Sequence, residues 1–313
     1  MKRLLLATLF VAQTALAQHF DAIVTGRTAD GTAIADLIVG GQTISVADIA
    51  VVAAAPEGRV FAVTESNPAR IVELLHPATA RRTIGELPQD WAANAMVVDR
   101  NANVHILATG KPYGVALFTV GANGVVRAEY QMSSLYFGSA FPGAIDLAAD
   151  QCTLFMSDVF GGIRRFDVCE GKFLADFQVS EFLDRRPVRI LPDGGVLYGL
   201  IRYDANGQVV GNLRIRSSLV GMAFALTRGG TRIVIAGERC DPDEESNCPS
   251  DPLIGQLEIV EVDVDHPKQI QVPGNEITIG KLTTAQPETI VPLFAWTAAL
   301  GNTRPSRRRA AGF

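Results

Sequence analysis

The chain has 313 residues, 48% of them hydrophobic, and its 28 Lys plus Arg against 33 Asp plus Glu give a formal net charge of −5. That acidic balance excludes a general nucleic-acid-binding surface, which neutralises phosphates with clustered positive charge. No segment carries a sustained helical period with caps, which excludes alternating strand and helix units.

The first residues read as an export signal. "MKRLLLATLFVAQTALAQ" has a basic start at Lys2 and Arg3, an apolar run from Leu4 to Ala12, and small residues at Ala15 and Ala17. This is the pattern of a signal peptide over residues 1–17 cleaved near Ala17, so the mature chain is expected to begin at Gln18 and to be secreted or periplasmic. The apolar run is shorter than the roughly twenty residues a span requires, so no stable membrane span is expected in the mature chain. Export to an oxidising compartment makes disulfides expected, and four cysteines allow two.

After the signal, one plan repeats. "DIAVVAAAPEGRVFAVTES" from Asp48, "AMVVDRNANVHILATG" from Ala95, "AIDLAADQCTLFMSD" from Ala144, "VRILPDGGVLYGLI" from Val188 and "MAFALTRGGTRIVIAGE" from Met222 are each an apolar strand, a Gly, Asp, Asn or Pro turn, and a second apolar strand. The second strands begin at Val60, Val104, Thr153, Val196 and Arg232, steps of roughly 36–49 residues, which is the period of a propeller blade. More polar third strands follow as "ARIVELL", "GVALFTV", "GIRRFDV", "VVGNLRI" and "QLEIVEVDV".

Residues remain at both ends. "DAIVTGRTADGTAIADLIVGG" from Asp21 holds a further hairpin, and "TIVPLFAWTAAL" from Thr289 holds one strand without a local partner. A sixth blade built from both ends would close the ring and remove its open sheet edges. The expected fold is therefore an all-β, six-bladed β-propeller over residues 18–300, with a seven-bladed ring divided differently between Leu213 and Gly280 as the alternative. Residues 301–313, with Arg304, Arg307, Arg308 and Arg309, are expected to form a basic flexible tail.

The pairing of the cysteines follows from one turn. A two-residue hairpin loop at Phe160-Gly161 places Cys152 opposite Cys169 on a non-hydrogen-bonded pair, with Cα atoms inside the range of about 4.4–6.8 Å that a disulfide accepts. The same register sets Phe155 opposite Phe166 and Thr153 opposite Val168. Cys240 and Cys248 are assigned to each other by proximity.

"ADQCTLFMSDVFGGIRRFDVCEGKFLADF" followed by "RPVRILPDGGVLYGL" resembles the recurring core of bacterial exported propellers of the NHL-repeat, YVTN and regucalcin/gluconolactonase-like group. "VVDRNANVHIL" from Val97 is similar to the NHL-type strand pair around an Asp-containing turn. The resemblance implies a propeller and a secreted habit, in a group that holds binding proteins and enzymes alike. Its gluconolactonase branch holds a divalent metal at the channel mouth through Glu, Asn and Asp. Glu65 and Asn67 in "TESNP" do not match that branch's motifs, so its activity is not carried over.

Few residues offer chemistry of their own. Asp146 lies in a first, channel-lining strand and is a candidate ligand there. His19, His76, His105 and His266 have no metal-ligand spacing, and His105 alternates with apolar neighbours as a packed strand residue does. There is no G-x-S-x-G elbow, H-E-x-x-H or phosphate loop, so the catalytic residues, if any, are unknown.

One loop departs from the repeat. "RCDPDEESNCPSDPLIG", from Arg239 to Gly255, is long, acidic and closed by the expected Cys240–Cys248 bridge. Asp241, Asp243 and Glu245 have the spacing that opens a calcium loop, but Ser246 stands where that loop requires glycine. No cofactor is expected apart from calcium there. The expected function is a monomeric exported binding or scaffold module for a protein, glycan or small ligand on the loop face. A metal-dependent, lactonase-like hydrolase with its site at the central channel is the alternative.

Overall fold

A computed structural model describes residues 22–27, 32–39, 42–55, 59–75, 80–110, 114–121, 123–133, 144–157, 162–177, 188–199, 201–212, 214–215, 219–226, 232–239, 257–263, 270–271 and 298–300. The export signal, the Phe160-Gly161 turn, the acidic loop with Cys240 and Cys248, and the basic tail lie outside them.

The described residues are all-β and contain no helix. The strands are β1 (Ala22–Arg27), β2 (Ala33–Val39), β3 (Gln42–Ala47), β4 (Val51–Ala54), β5 (Val60–Val63), β6 (Arg70–Leu75), β7 (Ala80–Glu86), β8 (Trp91–Val98), β9 (Val104–Gly110), β10 (Gly114–Val120), β11 (Val126–Ser133), β12 (Ile145–Leu147) and β13 (Thr153–Ser157). They continue as β14 (Ile163–Asp167), β15 (Lys172–Phe173), β16 (Val188–Ile190), β17 (Val196–Tyr198), β18 (Ile201–Tyr203), β19 (Val209–Asn212), β20 (Arg214–Ile215), β21 (Leu219–Leu226), β22 (Arg232–Arg239), β23 (Leu257–Asp263), β24 (Ile270–Gln271) and β25 (Ala298–Leu300). Four antiparallel four-stranded sheets follow chain order, β4–β7, β8–β11, β12–β15 and β16–β19. A three-stranded sheet is β21–β23, and β20 pairs in parallel with β24.

The remaining sheet runs β25-β1-β2-β3, so its two ends come from opposite ends of the chain. Ala22, Ile23 and Val24 pair with Leu300, Ala299 and Ala298. The strand from "TIVPLFAWTAAL" thus finds its partner in the first strand of the chain. The first-edge strands lie beside one another in cyclic order: β4 with β8, β8 with β12, β12 with β16, β16 with β21, β21 with β25, and β25 with β4.

Period-2 alternation places the sheets β4–β7, β8–β11 and β12–β15 each between two apolar layers. Phe61 and Val63 of β5 pack with Ile106 and Phe118 of the next sheet, while Val60 and Ala62 pack with Leu37 of the preceding one. Likewise Leu154, Met156 and Phe166 face β8–β11, and Phe155 and Ile163 face Val188, Tyr198 and Tyr203. Strands buried on both faces read as continuous apolar runs, which is why the repeat is legible.

Four hairpin turns share one geometry. In each, the N–H of the first residue donates to the carbonyl four residues on (Asp99 to Asn103, Gly121 to Val125, Leu191 to Gly195, Asp204 to Gln208), and the N–H of a positive-φ residue three positions on donates back to the first residue's carbonyl. The positive-φ position is Gly124, Gly194 or Gly207 in three of them and Ala102, at 61°, in the fourth. A side-chain oxygen of Asp99, Asn123, Asp193 or Asp204 accepts the N–H two residues on, which is why Asp and Asn punctuate the repeat.

The cysteine hairpin corrects the expected register by one residue. Thr153 faces Asp167, Leu154 faces Phe166 and Phe155 faces Arg165. Five residues, 158–162, separate the last pair, Ser157 and Ile163. A one-residue slip exchanges the faces of a strand. It is this slip that sends Phe155 and Phe166 to different layers rather than together. The disulfide survives because it lies beyond the ladder. Val168 N–H bonds to Cys152 O at 2.8 Å, the 167–171 turn brings Cys169 back, and the bridge forms with a Cα separation of 5.3 Å.

Candidate functional site

Asp146 sits in β12, a first-edge strand between β8 and β16, and its carboxylate is engaged. Arg189 Nη1 donates to Oδ1 at 3.1 Å and the Ile190 N–H donates to Oδ2 at 2.8 Å. Both donors belong to β16, so Asp146 satisfies an N–H of a neighbouring sheet's edge strand and links the two sheets. The residue expected to line a channel has here the geometry of a link between sheets.

The loop between β5 and β6 meets the segment before β8. Asn67 Nδ2 donates to Asp90 Oδ1 and Asp90 N–H donates to Asn67 Oδ1, both at 3.0 Å. This reciprocal pair holds Asp90 at a φ of 65° immediately before Trp91. The indole then lies on Gly110, where a Cβ would fall 2.4 Å from the ring, and meets Phe118 edge-on at 5.1 Å. Glu65 is exposed in the same loop.

Three polar clusters, each around a buried charged or polar side chain, escaped the sequence reading. Glu73 in β6 is buried, with Arg59 Nε donating at 2.8 Å and Arg82, its cross-strand partner, bonded to the other oxygen. Burial pushes its carboxyl up, but Arg59 and Arg82 outweigh that and hold it below the ordinary carboxylate range. Arg202 is buried and bonds Asp193, whose carboxyl burial raises and the Gly195 N–H and Arg202 bring down. The third cluster joins Asp99, His105 and Thr119. Burial raises the Asp99 carboxyl, and His105, Asn103 and Asn101 hold it below its usual value. The only signal for these groups was a charged residue inside an apolar strand, as in "RIVELL" and "IRYD".

Cys152, Asp167 and Cys169 are the one group of three metal-competent side chains among the described residues. Its two sulfurs are joined to each other, and Asp167 Oδ1 accepts the Cys169 and Glu170 N–H groups. The geometry is that of a closed turn. Asp150 does the same for Cys152 and Thr153, and these bonds outweigh its burial to lower its carboxyl. The calcium candidates Asp241, Asp243 and Glu245 lie outside the described residues. No helix among the described residues is long and apolar enough to cross a membrane.

No protein-family profile matches the chain, and no curated protein matches it. Its fold is similar to the crystal structure of a protein of unknown function from Bacteroides caccae, with a TM-score of 0.51 at 11% identity, over 91% of this chain and 100% of that one. At that identity the likeness speaks for the fold alone.

Proposed function

We propose that the chain is an exported six-bladed β-propeller serving as a binding or scaffold module for a protein, glycan or small ligand. The observation that carries the ring is the cyclic order of the six first-edge strands, with β25 inserted beside β1. The affiliation proposed with it is the NHL, YVTN and regucalcin-like group, on the turn motifs at Asp99, Asp150 and Asp193. The binding face is the end where the loops between second and third strands open, the end at which Asn67 and Asp90 meet. A binding role is favoured over channel hydrolysis because both oxygens of Asp146 already have protein donors. The disulfide fits an exported chain.

The test replaces Asp241 to Asn247 with a short Gly-Ser link and compares partners captured from the native envelope or culture fluid, with and without calcium. Loss of a partner in the shortened protein, with melting unchanged, supports the reading. A stoichiometric divalent ion in the purified protein, with lactone hydrolysis that survives the shortening, would overturn it in favour of the hydrolase. The mass of the exported form should correspond to a chain beginning at Gln18.

A further inference from the structure

The joint between β8–β11 and β12–β15 contains a buried nitrogen with no partner. His105 Nε2 is the one buried side-chain nitrogen or oxygen among the described residues that lacks a hydrogen bond. Folded interiors seldom leave such an atom unpaired, and each one calls for an explanation. The ring is 3% exposed and lies on the face of β9 that also carries Leu107, directly across from Val97 on β8 and Thr119 on β10. Nδ1 is 2.9 Å from Thr119 Oγ1, and Nε2 is 3.8 Å from Asp99 Oδ2.

Neither neutral tautomer completes this cluster. A proton on Nδ1 alone is donated to Thr119 and turns the Nε2 lone pair toward a carboxylate. A proton on Nε2 alone leaves Nδ1 to accept the Thr119 hydroxyl and points at Asp99 from 3.8 Å, beyond hydrogen-bond distance and without the charge that would draw the carboxylate in. The doubly protonated ring has a donor for each partner, and the bond to Asp99 becomes charge-assisted once the gap closes. Asp99 is ready as the acceptor, because Asn101 N–H, Asn103 N–H and Asn103 Nδ2 already bond its carboxylate.

The same turn reaches the next sheet. Arg100 N–H donates to Gln151 Oε1 at 2.9 Å, and its guanidinium lies 3.4 Å from Ala149 O. Movement of the 99–103 turn toward β9 is therefore felt across the joint. The other charged groups around it are Arg100 itself, Arg127 opposite Thr119 on β11, Asp150 in the neighbouring turn and Arg164 opposite Met156 on the facing sheet. The facing β13 contributes Leu154 and Met156, which are apolar.

We propose that His105 and Asp99 form a proton-operated latch, in which a second proton on the imidazole draws the 99–103 turn onto β9 and tightens the joint between the two sheets. The measurement uses the full mature protein along a series of decreasing pH. Nitrogen NMR reads the His105 ring, and hydrogen exchange reads protection factors at Arg100, Asn101 and Asn103. The expected result is a change of the ring to its doubly protonated signature, with protection rising about tenfold in step, the effect of one added charge-assisted bond. Asp99→Asn and His105→Gln should each abolish the rise. Should either variant fold poorly, the coupled titration of the wild-type protein decides alone. A ring bonded to Asp99 equally throughout the series, or protection that stays flat while the ring titrates, would overturn the latch.

Discussion

Two joints flank the sheet β8–β11, and the single strand β9 serves both. Toward β4–β7 it presents Ile106 to Phe61, Ile71 and Leu87, and the one buried carboxylate on that side among the described residues, Glu73, is matched by two guanidiniums. Toward β12–β15 it presents Leu107 beside His105, whose outer nitrogen is unmatched, and the turns are tied by Arg100 and Gln151. Period-2 alternation alone separates these neighbours in sequence onto the two joints. The contrast teaches that repeating strands make equivalent backbones while the joints between them differ in how completely their polar groups are matched.

The largest effect should come from the first joint. Phe61→Ala is expected to lower stability by about 3–5 kcal/mol, because the ring is fully buried and its neighbours come from two sheets. Denaturant titration measures it, and a loss under 1 kcal/mol would break the claim that this joint is a tightly packed layer. Phe166→Ala, in the second joint, sharpens the comparison if its loss is similar and the difference between joints is confined to their polar groups.

Next is the bridge at the end of β12–β15. Replacing Cys152 and Cys169 by Ser should cost about 3 kcal/mol on the chain-entropy view of a loop of this length, with the sheet pattern unchanged by circular dichroism. Peptide mapping without reduction should recover Cys152 joined to Cys169.

The carboxylates give a pH signature of definite sign. Glu73, Asp99, Asp150 and Asp193 are held below their ordinary values in the folded chain, so the unfolded chain binds more protons in the acidic range. Their contribution is present in full above the ordinary carboxylate range and is lost as the pH falls through the folded values. Glu73→Gln should lower neutral-pH stability by about 1–3 kcal/mol and flatten this acid loss, the arginines' access to solvent limiting the size. An unchanged acid limb would break the matched-charge account of the first joint.

The smallest effect concerns the turns. Ala102→Gly should stabilise the protein by about 0.5–1 kcal/mol, since a left-handed backbone favours glycine and three sister turns already have it. Gln151→Gly relieves the same backbone but removes the acceptor of Arg100 N–H, so it should bring no gain. Equal gains at both positions would show that the Gln151 contact is dispensable to the second joint.

The sequence by itself determined the all-β class, the repeating hairpins with their Asp and Asn turns, the Cys152–Cys169 bridge, and the strand near the C-terminal end that pairs with the N-terminal one. The first three rest on short-range patterns and apolar alternation, which any chain displays openly, and the last on the need to leave no sheet edge open. The tertiary structure decided the rest. It chose a register one residue from the expected one, because burial on both faces fixes which of Phe155 and Phe166 enters which layer. It gave Asp146 its partners in β16, forty-three and forty-four positions away. It set His105 beside Asp99 across a turn and Glu73 between Arg59 and Arg82. Charge matching acts through space at a few ångströms, and nothing in the local pattern of an apolar strand says which distant strand will supply the matching group.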